Sequence, residues 1–147
     1  MSDAEMPAVT DVRLALIVES FQRLTGKPLL EAYDLQALWN APFAVVAHGT
    51  GSDPVFFYGN KLALRLFEMS FDGFTQLPSR LSAEPLAQQE RASLLARVTA
   101  QGFVDDYCGM RISSTNKRFM ITNATVWNLI DGEGVCHGQA AAFIAPD

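Results

Sequence analysis

Two histidines, two cysteines and one adjacent pair of aspartates carry most of the reactive chemistry in this 147-residue sequence. His48 and His137 are the candidate general bases, because an unperturbed imidazole titrates near about pH 6.5. His48 ends an apolar run and precedes the loop Gly49-Thr50-Gly51-Ser52-Asp53-Pro54. No serine, cysteine or aspartate stands at a triad-like spacing from it, so a loop hydrogen bond is its first expected role. Catalysis by His48, as the base of a small isomerase or hydratase, is the alternative. His137 directly follows Cys136, and neighbours on a strand point to opposite faces, so the two do not share a metal. The same geometry keeps Asp105 and Asp106 from acting as an acid/base pair. Cys108 and Cys136 form no C-x-x-C and are expected to be reduced and buried, as small core hydrophobes. Arg80 presents a fork of donors to an anion or, more simply, pairs with Glu84. Gly49-Thr50-Gly51 lacks the spacing and the lysine of a nucleotide loop.

These residues sit in a chain with one domain's worth of length: 16.1 kDa, 49% hydrophobic and 18% charged. That balance excludes a disordered tail or a coiled coil. The net charge of −5 is wrong for a nucleic-acid binder, which needs a basic stripe. No apolar run approaches the roughly 20 residues that span a bilayer, and the first residues are acidic where a signal peptide is basic. A cytoplasmic location is expected, with no membrane or nucleic-acid partner.

The elements follow from periodicity. Thr10 or Asp11 is placed to cap a first helix whose Leu14, Ile17, Phe21 and Leu24 share one stripe, and Gly26 and Pro28 close it. A short helical pattern covers Leu30, Tyr33, Ala37 and Leu38. Phe43–Ala47 and Val55–Tyr58 read as a hairpin. Asn60 starts a helix through about Glu68, and Phe67, Met69, Phe71 and Phe74 cluster just beyond. Ser82 or Glu84 opens a long helix with Pro85 in its first turn, closing at Gly102. The period then changes to two. Val104, Cys108, Met110 and Ile112 alternate on the first of three strands; Phe119–Ile130 and Val135–Ala145 are the others. Helix, hairpin, helical crossover and three-stranded meander predict an α+β fold with a five-stranded antiparallel sheet. The crossover covers one face, and the amphipathic first helix covers the other. The expected division is a helical extension over 1–38 and a domain over 39–147.

That element order resembles the PAS domain. The likeness is carried by Phe43-Ala-Val-Val-Ala47, the Asn60-x-x-Ala63-x-x-Leu66-Phe67 helix and Asp131-Gly-Glu-Gly134. More specifically, the chain resembles the stand-alone bacterial type of the MEKHLA domain family. The matching stretches include His48-Gly49, Tyr58-Gly59-Asn60, Leu77-Pro-Ser-Arg-Leu-Ser-Ala-Glu-Pro85, Gly102-Phe-Val-Asp-Asp-Tyr107, Ala124-Thr-Val-Trp-Asn-Leu-Ile-Asp131 and His137-Gly-Gln-Ala-Ala141. The resemblance implies a PAS-like fold. In plants the family's module is associated with dimerisation of homeodomain–leucine-zipper factors, but this sequence has neither a homeodomain nor zipper heptads. In the flavin-binding branch of PAS domains a cysteine and an arginine stand where this chain has Ser79 and Arg80. A hydroxyl cannot form the photo-adduct, while Arg80 remains able to meet an anion.

The functional expectation is a sensory or ligand-binding module that takes a small molecule between sheet and crossover and acts through a homodimer or a partner. The cofactor is left open. The expected ligand-facing residues are His48, Tyr58, Asn60, Phe74, Arg80, Thr122, Val126, Gln139 and Ala141. Thr122, Ala124, Val126 and Asn128 share one parity of their strand, and Gln139, Ala141 and Phe143 share one of the next. Trp127 takes the opposite parity, under the first helix. A bulge would invert these assignments.

Overall fold

A computed structural model describes residues 12–31, 34–83 and 85–144, without the side chains of 85–88 and 91. Thr10, Asp11, Tyr33 and Glu84 lie outside the described residues. The helices are α1 (Arg13–Thr25), α2 (Leu35–Trp39), α3 (Lys61–Phe67), α4 (Phe71–Phe74) and α5 (Pro85–Gln101). The strands are β1 (Ala44–His48), β2 (Phe56–Gly59), β3 (Phe103–Ile112), β4 (Arg118–Ile130) and β5 (Cys136–Phe143), in one antiparallel sheet of order β2-β1-β5-β4-β3. Both the hairpin and the meander therefore join the sheet, with β1 and β5 at its centre. A 3-10 turn, Ser79–Ser82, separates α4 from α5. The Ser82 hydroxyl donates to Ser79 O at 2.7 Å, so Ser82 closes that turn rather than opening α5.

The crossover is tied down at its start by one residue. Asn60 caps α3: its Oδ1 accepts from Ala63 N at 3.1 Å and from Val45 N at 3.0 Å. Its Nδ2 donates to Leu38 O at 3.2 Å and to Phe43 O at 2.9 Å. One buried amide thus joins α2, β1 and α3 and satisfies main-chain groups in all three. At the other end of α3, Glu68 accepts from the hydroxyls of Ser113 and Thr115 in the β3–β4 turn. Those bonds, Ser113's first, hold its carboxyl below the ordinary range.

α1 lies on the sheet face away from the crossover. Leu14, Ile17 and Val18 are buried, and Phe21 meets Trp127 edge to face at 4.9 Å between ring centres. Trp127 Nε1 donates to Ile17 O at 3.1 Å. Ser20 Oγ donates to Ile130 O and accepts from Ile130 N at 2.8 Å, replacing the ladder partner where the β4–β5 register shifts.

Strict alternation fails in the outer part of the sheet. Val104 pairs with Val126 and Tyr107 with Ala124, so β3 carries one residue more than β4 across Asp105–Asp106. Gly109 then pairs with Ile121, so β4 carries the extra residue across Thr122–Asn123, where Asn123 has a φ of 51°. Each bulge reverses parity. On β3, Val104, Tyr107, Gly109 and Arg111 are buried, while Cys108 is exposed. The expected face of Cys108, Met110 and Ile112 is therefore corrected, as is the burial of the thiols: both cysteines are free and exposed. On β4, Ile121 turns inward and Thr122 outward.

Candidate functional site

The inner face of the sheet and α5 enclose a narrow cavity of about 60 Å³. Its wall starts from rows of paired residues. Val46 lies beside Ala141, Ala141 beside Val126, and His48 beside Gln139. Phe56, Phe67, Leu94, Tyr107, Arg111, Ile121, Ala124 and Phe143 complete most of the lining. Leu94 and Val98 are the buried described side chains of α5.

A polar network fastens α5 over this space. Asn128 Nδ2 donates to Val98 O at 3.0 Å. Gln139 Nε2 is shared among Asn128 Oδ1 at 3.0 Å, Leu95 O at 3.3 Å and Thr99 Oγ1 at 3.3 Å. These bonds satisfy helix carbonyls and fix both amides, as buried polar groups require.

Of the residues expected to meet a ligand, His48, Val126, Gln139 and Ala141 line the cavity. The other five lie elsewhere. Asn60 spends its amide on the four main-chain bonds above. Phe74 stacks on Phe56 at 4.2 Å between ring centres, within the core. Tyr58 is buried against the Phe71 ring of α4. Arg80 is half exposed and its Nε donates to Asp53 Oδ1 at 2.9 Å, a surface pair away from the cavity lining. Thr122 is turned out by the β4 bulge. Neighbouring Ser79 is buried, and its N–H donates to Pro54 O at 2.8 Å, pinning the 3-10 turn to the β1–β2 loop.

His48 Nδ1 lies 2.9 Å from Gly49 O, the local bond expected of it. With the ring proton on Nδ1, Nε2 is an acceptor. Gly138 brings β5 against this backbone: it has a φ of 141°, and a Cβ there would overlap His48 O. A histidine–carboxylate pair lies outside the cavity lining, with His137 Nε2 2.8 Å from Asp131 Oδ2.

Tyr107 and Arg111 were not among the expected residues. Both face inward because Asp105 and Asp106 share a bulge. Arg111 is 8% exposed; its Nη1 donates to Met110 O at 3.0 Å, and its guanidinium carbon lies 5.2 Å from the centre of the Tyr107 ring. The available signal was two consecutive aspartates inside a strand pattern, a placement that alternation disfavours.

Comparison with solved structures shows the same fold at low identity. A light-oxygen-voltage domain whose mechanism was probed with a flavin analogue superposes with a TM-score of 0.64 at 15% identity, covering 77% of this chain and 84% of that one. A PAS domain from Colwellia psychrerythraea gives a TM-score of 0.64 at 14% identity, over 74% and 89%. The light-state dimer of the fungal blue-light photoreceptor Vivid gives 0.66 at 11% identity, over 98% and 100%. The fold is therefore α+β and PAS-like. A comparison with curated proteins finds no significant match. The MEKHLA domain model matches residues 12–145, a span that takes in α1 and all five strands, and the chain belongs to the MEKHLA domain family.

Proposed function

We propose that this chain is a PAS-like sensory module that holds a small molecule between the inner sheet face and α5. The observation that carries this reading is the lined cavity itself. Its walls are apolar, and His48, Arg111 and Gln139 converge on it from three strands. Ligand sites have this composition, mostly apolar with a few placed polar groups. The cavity of about 60 Å³ is far below the ~300 Å³ at which ordinary ligand pockets begin, so the ligand is small or α5 moves outward to admit it. Binding that favours one position of α5 would shift the population of the two states, which is how a sensor responds.

The protein purified from its own source, examined by non-denaturing mass spectrometry, is expected to carry a small-molecule adduct that is lost on denaturation. A clean apo mass, together with no thermal shift across a diverse set of small molecules, would remove this reading.

A homodimer through α1 and the outer sheet face is a compatible second reading. It is favoured by an apolar groove of about 230 Å³ among Phe21, Leu29, Phe43, Ala142 and Ile144. Vivid, similar over nearly the whole chain, forms a light-state dimer.

A further inference from the structure

We infer that Arg111 makes this cavity a site for a small monocarboxylate, an inference that rests on the ligand-binding reading above. Arg111 is more than nine-tenths buried as a residue. A buried charge is costly unless paired, and buried arginines normally face a carboxylate or phosphate. Arg111 has no carboxylate partner among the described residues. Its contacts are one hydrogen bond, to the carbonyl of Met110, and the face of the Tyr107 ring. That leaves most of its donor fork uncommitted, in a group whose geometry matches a carboxylate edge to edge.

The strand is shaped to bring the charge inward. Simple alternation would turn Met110 and Ile112 to the cavity and leave Arg111 in solvent. The extra residue at Asp105–Asp106 reverses that, and re-aiming a side chain is a known effect of such bulges. Phe67, Ile121 and Val126 line the same cavity with hydrocarbon.

Charge and volume set the ligand class. One buried cation neutralises one negative charge. A doubly charged phosphate would keep an uncompensated charge and spare oxygens among apolar side chains. The Ser82 hydroxyl nearby already donates to Ser79 O, so it offers no further proton. The space, about 60 Å³, is less than half of the about 150 Å³ that holds a benzene ring. A short carboxylate satisfies the charge limit; butyrate, with as many non-hydrogen atoms as benzene, enters with the outward movement of α5 proposed above, its oxygens on Arg111 and its tail toward Ile121 and Val126.

The test is a series of amide ¹H–¹⁵N spectra of the full chain titrated with butyrate, butyramide or inorganic phosphate. Butyrate is expected to give saturable shifts centred on Tyr107, Arg111, Ile121 and Ala124. Butyramide should bind at least about tenfold more weakly, because it lacks the charge that a guanidinium hydrogen bond uses. Arg111→Gln and Arg111→Met should lose a similar factor for butyrate while keeping dispersed, folded spectra. Equal binding of butyrate and butyramide, undiminished butyrate binding by folded Arg111 variants, or phosphate binding as tight as butyrate each overturns the carboxylate assignment. No saturable shift with butyrate overturns it as well. If the source-purified protein then still carries a neutral adduct, the ligand-binding reading stands without it; a clean apo mass removes both. If both Arg111 variants fail to fold, the butyrate and butyramide comparison on the natural chain decides.

Discussion

Asn60 is the residue on which most of the crossover depends. Its amide uses both donors and both acceptor positions on main-chain groups of α2, β1 and α3. Replacing it with alanine removes a helix cap and leaves buried N–H and C=O groups of neighbouring elements without partners. Asn60→Ala is expected to lower unfolding free energy by roughly 3 kcal/mol, seen as a lower denaturant midpoint. Its place at the start of α3 was legible, because asparagine before an apolar helical stripe is a cap signal. Its reach back to Leu38 and Phe43 was not, since nothing local encodes those contacts. Asp131 makes a separate prediction. The His137 ring beside it, with the N–H groups of Val135 and Glu133, holds its carboxyl down from 3.8 to about 2. A depressed carboxyl pKa stabilises the fold above its unfolded value and loses that contribution as pH falls toward the folded one. Stability should therefore decline from about pH 4 toward pH 2, and Asp131→Asn should flatten this part of the profile. Urea melts at a series of acid pH values measure it.

At the scale of elements, the order of helices and strands along the chain was readable and strand faces were not. α1 shows its Leu14, Ile17 and Phe21 stripe, and the change to period two after Gly102 marks β3. The faces of β3 and β4 depend on where one residue is added, and alternation carries no memory of an insertion. Plain alternation therefore points Thr122, in place of Ile121, at the cavity and turns Arg111 to solvent. Gly109 lies two positions from Tyr107 on the same face, and the Tyr107 phenol lies where a Cβ of residue 109 would be. Gly109→Ala should push the Tyr107 ring into the cavity at a cost of about 1–3 kcal/mol, typical of overpacking. A lowered melting temperature together with smaller butyrate-induced shifts would register both effects.

For the molecule as a whole, the sheet is buried on both faces, by α5 and the crossover on one side and by α1 on the other. The packing of α1 on Trp127 followed from parity, because no bulge intervenes between Ala124 and Trp127. Taking away residues 1–38 would uncover that indole and break the Asn60 bond to Leu38. Such a truncation is expected to aggregate, read as light scattering or loss of a monomer peak; a soluble product with unchanged assembly would contradict it. The middle of β4 has a further consequence. Trp127 grips the helix behind the sheet and Asn128, the next residue, grips the helix in front. Threading this strand one position out of step would put an indole where an amide belongs and strand both helices at once. The two consecutive side chains therefore act as a key cut on both edges: mistakes of alignment near the loosely alternating outer strands are stopped before they reach the sheet's centre.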